Sequence, residues 1–335
     1  MTRDRYSPTL QAQYRAALQL ALEAGHKVLS EGGCALDAVE AAINSMENNP
    51  LFNAGKGAVL STDGKVELEA SVMVNHPLAS GDGGLDVSRR TTSVTLVSRV
   101  KNPISLAKQL FLKAEDTQHV FHAAPHVEML AERFGCEMVE ESYFHTPARD
   151  RQFEDAQTGD YAGLGSDESE AKGTVGAVAL DVNGFMAVGT STGGKGGKLP
   201  GRIGDTPIPG AGYWCETFLA KRKTTLLQKI FPCLGREEEE IGMGVSGTGD
   251  GDYFLRYAVC HDVFERMKWK GDTLEESVKD VLRELGQHGG EGGMIGLTGE
   301  GEVVMGMNCG GMFRGWIDLA EGVPRVGIFS DDHVS

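Results

Sequence analysis

No stretch of the 335 residues approaches the ~20 consecutive apolar positions of a membrane helix, so a membrane-spanning chain is not expected. Cysteine is scarce. The six, at positions 34, 136, 215, 233, 260 and 309, are scattered and form no CxxC pair. That argues against a disulfide framework and for buried free thiols in a reducing compartment. Positive charge is short as well: 32 Lys and Arg stand against 48 Asp and Glu, for a net charge of −16. Such a surface argues against nucleic acid or an anionic membrane as partner. The opening residues 1–8 are polar. A signal peptide is therefore not expected, and the cytoplasm is the expected location. No internal repeat is found.

Glycine is abundant instead, 46 of 335, about double the usual ~7%. The glycines gather in short clusters where strands end, as a loop-built site with close backbone approach requires. Helical periodicity covers residues 10–29, 35–46, 104–112, 126–134, 252–269 and 274–286. Strand patterns cover 91–100, 175–182, 185–190, 241–244, 294–297, 303–307 and 325–329, the last three closing a sheet. Asp63-Gly64, between 58–62 and 65–73, and Asn183-Gly184 read as hairpin turns, the latter as a two-residue loop. Strands in antiparallel pairs and helices in blocks predict layers rather than a doubly wound sheet. Residues 149–173 are acidic and Gly/Ser-rich and read as an unstructured linker. Residues 211–240, with a basic cluster and then Glu237 to Glu240, read as an excursion from the main fold.

The chain is organised around Gly173-Thr174-Val175-Gly176-Ala177-Val178-Ala179-Leu180. A threonine stands where the acidic segment enters a core strand. The return strand then brings Ser191-Thr192-Gly193-Gly194 to the same region. We read Thr174 as a new N-terminus that serves as nucleophile. Two other patterns compete. Residues 189–196 nearly match a phosphate-binding loop, but Gly follows Lys195 where Ser or Thr is needed, and no helix pattern follows. His119, His122 and His126 mimic metal-ligand spacing, but Pro125 interrupts any helix and no carboxylate or cysteine partners them.

The Gly-Thr-Val-Gly-Ala-Val-Ala-Leu-Asp core, Thr190-Ser-Thr-Gly-Gly194, Lys198-Leu-Pro-Gly-Arg-Ile-Gly-Asp-Thr-Pro207 and Gly210-Ala-Gly212 together resemble plant-type asparaginases and isoaspartyl peptidases. These are threonine Ntn-hydrolases, relatives of glycosylasparaginase and taspase. Asn53-Ala-Gly-Lys-Gly57, Glu67-Leu-Glu-Ala-Ser71 and Gly292-Gly-Met-Ile-Gly296 fit the same pattern, so the resemblance spans almost the whole chain.

The resemblance implies an α+β fold, a four-layer αββα sandwich, in one domain over 1–335. It implies self-cleavage between Gly173 and Thr174 into an α-chain 1–173 and a β-chain 174–335. The freed amine of Thr174 would be general base to its own hydroxyl, and Thr192 would orient it. Arg202 and Asp205 would clamp a substrate's α-carboxylate and α-ammonium, Thr248 and Gly249 would form the oxyanion hole, and Gly251 and Asn53 would border the substrate. Backbone carbonyls around Met46, Glu47, Asn49, Phe52, Ala54 and Lys56 would hold a structural Na⁺, with no other cofactor required.

The implied activity is hydrolysis of L-asparagine or β-aspartyl dipeptides by a homodimer of αβ units acting on small substrates. The departures are three. A first strand ending His-Gly-Gly-Ala-Gly is not in this sequence, Gly247 replaces a larger residue, and residues 215–240 are longer than the usual link. A processing-deficient or non-catalytic homologue and a glycosylasparaginase-like activity are the alternatives.

Overall fold

The computed structural model describes residues 6–76, 90–113, 116–158, 173–221, 238–332 and 334. Helix α1 (Pro8–Ser30) starts where Ser7 Oγ accepts the Leu10 N–H at 3.2 Å and Pro8 opens the first turn, a standard helix start. Helix α2 (Ala35–Glu47) buries Leu36, Val39, Ile43 and Met46, the face its periodicity predicts. Strands β1 (Leu68–Val74) and β2 (Thr91–Val97) follow, then α3 (Pro103–Leu112), β3 (Phe121–Ala123) and α4 (His126–Arg133). With β4 (Val175–Leu180) and β5 (Met186–Thr192) these strands form one sheet in the order β3-β2-β1-β5-β4. Helix α2 packs on β4 and β5, and α3 on β1 and β2.

A second, antiparallel sheet has the order β6-β7-β8-β9, from β6 (Tyr213–Lys221), β7 (Glu238–Gly249), β8 (Gly292–Thr298) and β9 (Val303–Met307). Helices α6 (Gly251–Tyr257), α7 (Val259–Glu265) and α8 (Leu274–Gln287) lie after β7, and α8 packs on β8 and β9. Thr273 and Glu276 close a reciprocal capping box on α8, a pattern that satisfies two orphan N–H groups. Between the sheets, β4 and β5 meet β7, and Met73, Met186, Val188, Tyr213 and Cys215 form a buried cluster.

Glycine sets the spacing on both faces of the first sheet. A Cβ on Gly189 would crowd Val39, Ile43 and Ile104, and one on Gly176 would overlap Ser246 Oγ. Overpacking of this kind costs ~1–3 kcal/mol. Gly176→Ala should therefore lower the unfolding free energy by that amount, read as a lower denaturant midpoint. An unchanged midpoint would mean that the sheets can part without cost.

Several expectations are corrected. Part of the supposed linker is helix α5 (Pro147–Thr158), started by Thr146 and Pro147 and pinned by buried Arg149, whose Nε donates to Gly57 O at 2.7 Å. Composition averaged over 149–173 hid that anchor; residues 159–172 lie outside the described set. The described ends of the excursion are β6 and the start of β7, paired from Tyr213↔Ser246 to Lys221↔Glu238; its middle, residues 222–237, lies outside the described residues. Residues 58–62 do not ladder with 65–73. Val59 N–H bonds Asn53 Oδ1, while Thr62 N–H and Leu60 O bond Lys198 and Gly197.

The 181–185 connection is a longer turn than expected. Gly184 alone has positive φ (82°), and Asp181 Oδ1 accepts from the N–H of Asn183 and of Phe185. The side chain of Asp181 thus selects a turn with one left-handed residue rather than two. The helix predicted over 252–269 breaks at Ala258, whose φ is +47°. Finally, among the described residues β11 (Arg325–Phe329) pairs with β10 (Gly311–Trp316) alone, in a separate two-stranded sheet. The far edge of β4 pairs with no strand among the described residues, and a cavity of about 1000 Å³ lies along it, reaching β10 and α1.

Candidate active site

The cavity begins at the N-terminal end of β4. Ladder pairing ends at Val175↔Ser191, which sets Thr174 level with Thr192 where both strands leave the sheet. Thr174 N–H donates to Thr248 Oγ1 at 2.8 Å. Gly173, before it, has φ 121°, and a Cβ there would sit 2.8 Å from Thr248 Oγ1. A left-handed residue pressed against a hydroxyl is a place only glycine fits. Gly249 is likewise left-handed (φ 146°), and a Cβ on it would overlap the Glu291 carbonyl. Gly251 approaches Asp205 so closely that a Cβ would overlap Oδ1.

Thr174, Thr192, Arg202, Asp205, Thr248, Gly249, Gly251 and Asn53 all line this one cavity. The partners differ from expectation at one point. Thr174 Oγ1 lies 3.1 Å from Thr206 Oγ1, whereas Thr192 Oγ1 accepts the Gly194 N–H at 3.0 Å. Thr192 tightens the turn after β5, and the hydroxyl touching the candidate nucleophile belongs to Thr206. Asn53 acts as a tie: Nδ2 donates to Gly194 O at 2.7 Å and Oδ1 accepts from Val59 N–H at 3.0 Å.

Charge on the opposite wall is dense. Arg202 Nη2 meets Asp252 Oδ1 at 3.0 Å. Asp205 is buried and its Oδ2 has no hydrogen-bond partner. Burial pushes its carboxyl up to about 7, Glu69 and Asp252 push the same way, and Arg202 pulls it down. Glu69, also buried, accepts the Gly204 N–H on Oε1 at 2.9 Å and leaves Oε2 without a partner. Burial raises its pKa while Lys198 opposes. Lys198 Nζ donates to Glu67 O at 2.6 Å. An orphaned buried carboxylate oxygen facing a cavity is suited to a cationic guest.

Sequence reasoning missed Thr206, Lys198 and Asp252 as site residues. Glu69 was noticed only within a motif, although an acid inside a fully buried strand was a signal of its own. Gly247 has a local reason: a Cβ would overlap the ring of Phe254.

The loop expected to hold Na⁺ is tightly built. Met46 O, Asn49 O and Ala54 O each accept an amide N–H, and a Cβ on Gly55 or Gly57 would overlap the carbonyl of Glu47 or Phe52. Lys56 Nζ lies 5.1 Å from the Tyr143 ring centroid. Glu47 is fully buried and accepts from Ser191 Oγ (2.6 Å), Asn102 Nδ2 (2.9 Å) and Ile104 N–H (3.1 Å). Burial pushes its carboxyl up to about 7 against those three donors. Glu47→Ala would strand Ser191 Oγ and the Ile104 N–H, while Asn102 Nδ2 keeps Asn48 Oδ1, and an unpaired buried donor costs ~1–3 kcal/mol. A stability loss of about 2 kcal/mol or more is expected in urea titration.

The competing patterns gain no support. Residues 193–201 are loop and turn with no helix after them, so the phosphate-loop pattern over 189–196 lacks the helix start it needs. His122 Nε2 contacts His119 O at 2.9 Å, and among the described residues no group of three His, Cys, Asp or Glu could hold a metal. Among the described residues no helix is long and apolar enough to cross a membrane. Cys34, Cys136, Cys215, Cys260 and Cys309 are free thiols; Cys233 is outside the described residues.

A family model described as Asparaginase matches residues 1–225 and 238–328. The chain belongs to the asparaginase family. It is 35% identical over 337 residues to the isoaspartyl peptidase of Escherichia coli strain K12, covering 99% of this chain and 93% of that protein. It is 34% identical over 328 residues to the probable isoaspartyl peptidase/L-asparaginase 2 of Arabidopsis thaliana, covering 91% and 89%. Similarity to the plant-type L-asparaginase of Pyrobaculum calidifontis is 33% over 311 residues, covering 90% and 89%.

Proposed function

We propose that this chain is an N-terminal-threonine amidohydrolase that cuts itself before Thr174 and releases aspartate from L-asparagine and β-aspartyl dipeptides. The observation that carries the reading is that Thr174, Thr248, Arg202 and Asp205 line one cavity, with the Thr174 N–H on Thr248 Oγ1 and the Thr174 hydroxyl against Thr206 Oγ1. The names of the relatives support the substrate class. The packing of helices, two facing sheets and helices supports the four-layer αββα reading.

Maturation begins when Thr174 Oγ attacks the Gly173 carbonyl. The C–N bond breaks, the acyl group moves to oxygen, and water hydrolyses the ester. The freed amine, with a reference pKa near ~7.7–8.0, then takes the hydroxyl proton as Oγ attacks the substrate's side-chain carbonyl. Thr248 Oγ and the Gly249 N–H are assigned to the developing oxyanion. Arg202 grips the α-carboxylate and the orphaned Asp205 Oδ2 accepts from the α-ammonium. Backbone carbonyls of Met46, Glu47, Asn49, Phe52, Ala54 and Lys56 are the oxygens that would hold a structural Na⁺, hard donors of the kind such a cation takes. A Na⁺ there would hold the loop, and thereby Asn53, in place. A homodimer of cut units is the assembly the resemblance supports. Intact hydroxyls around Thr174 favour the catalytic reading over a scaffold.

N-terminal sequencing of the purified protein tests this. A fragment beginning Thr-Val-Gly-Ala is expected; wild type that stays one intact chain and releases no aspartate would sink the proposal.

A further inference from the structure

Thr206 is fully buried and is held unusually well for a loop residue. Its carbonyl accepts from Ser71 Oγ at 2.8 Å and Thr190 Oγ1 at 3.0 Å, and those two hydroxyls lie 2.6 Å apart. It stands in a turn closed by the Ile208 N–H on Asp205 O at 3.0 Å, with the rigid ring of Pro207 next to it, and its β-branched side chain is stiff about χ1. Those constraints aim Oγ1 at one place, 3.1 Å from Thr174 Oγ1.

We propose that Thr206 is a further catalytic residue, its O–H donating to Thr174 Oγ1 as that oxygen loses its proton and attacks. This rests on the hydrolase reading above. In the step, a C–O bond forms between Thr174 Oγ1 and the substrate carbonyl carbon. The proton of Thr174 passes to the α-amine and from there to the leaving nitrogen as the C–N bond breaks. Thr206 keeps its own proton throughout and stabilises the oxygen by a charge-assisted hydrogen bond. In self-cleavage the same contact would hold Oγ1 ready to attack the Gly173 carbonyl.

Two substitutions test it. Thr206→Val keeps shape and removes the hydroxyl; Thr206→Ser keeps the hydroxyl. Thr206→Val should lower kcat for L-asparagine about 10- to 100-fold, the worth of one hydrogen bond to a charged group, with KM within about twofold. It should slow self-cleavage of the full chain similarly, and Thr206→Ser should restore most of both rates. Crystal structures of the two variants give a readout independent of turnover: Thr174 Oγ1 should leave its position in Thr206→Val and keep it in Thr206→Ser. Wild-type rates in Thr206→Val would overturn the assignment. If wild type itself neither cuts nor turns over L-asparagine, the hydrolase reading fails. The variant structures then decide Thr206 alone, an unmoved Thr174 hydroxyl in Thr206→Val counting against it.

Discussion

Thr174→Ala should yield a single uncut chain with aspartate release down by ~10⁴-fold or more, the scale seen when a nucleophile is deleted. The expected effect is large because the proposed mechanism draws nucleophile and base from one residue. Removing the side chain removes the attacking oxygen, and without cleavage no α-amine appears to accept a proton. No neighbour can substitute: Thr206 is tied down by its carbonyl and Thr192 Oγ1 is engaged with the Gly194 N–H. Intact-mass measurement reads the first loss and an ammonia-release assay the second. A cut chain in Thr174→Ala would place the scissile bond elsewhere.

Asp205→Asn should lower kcat/KM for L-asparagine by about 10²–10³, mostly through KM, because an amide cannot neutralise an α-ammonium in a buried site. The pH dependence is more telling. The carboxyl is held up at about 7 by burial, and it must be ionised to bind the substrate. The α-amine must also be unprotonated to act. On the acid side, log kcat/KM of the wild type should therefore approach a slope of two, and that of Asp205→Asn a slope of one.

Stability moves the opposite way. A carboxyl whose pKa is raised on folding contributes fully below its unfolded value near 3.8 and loses that contribution as pH rises through about 7. Asp205→Asn should accordingly melt higher than wild type at pH 8 and show little difference near pH 4. Equal melting temperatures at both pH values would mean that the empty site does not strain the fold. Such a trade of stability for binding is common at functional sites.

Much of the site was legible because its chemistry is local in sequence. Glycines at 173, 249 and 251 announce backbone that no Cβ would permit, and the Arg202 and Asp205 spacing sits in one short loop. What could not be read depends on pairing. Thr206 touches Thr174 only because β1, β5 and the 193–212 loop converge, with Ser71 and Thr190 fixing its carbonyl from two strands. Arg149 looked like part of a charged tract, yet its guanidinium is buried against Gly57 O. Register, too, left no trace: residues 325–329 have a strand pattern, but nothing in them says that β10 is the partner.

In the uncut chain Thr248 Oγ1 receives the N–H of Thr174, and in the proposed maturation the amine set free would be that same nitrogen. On that reading one oxygen would attend both the ripening of the catalyst and each cycle it runs, so a change at position 248 should move both rates together.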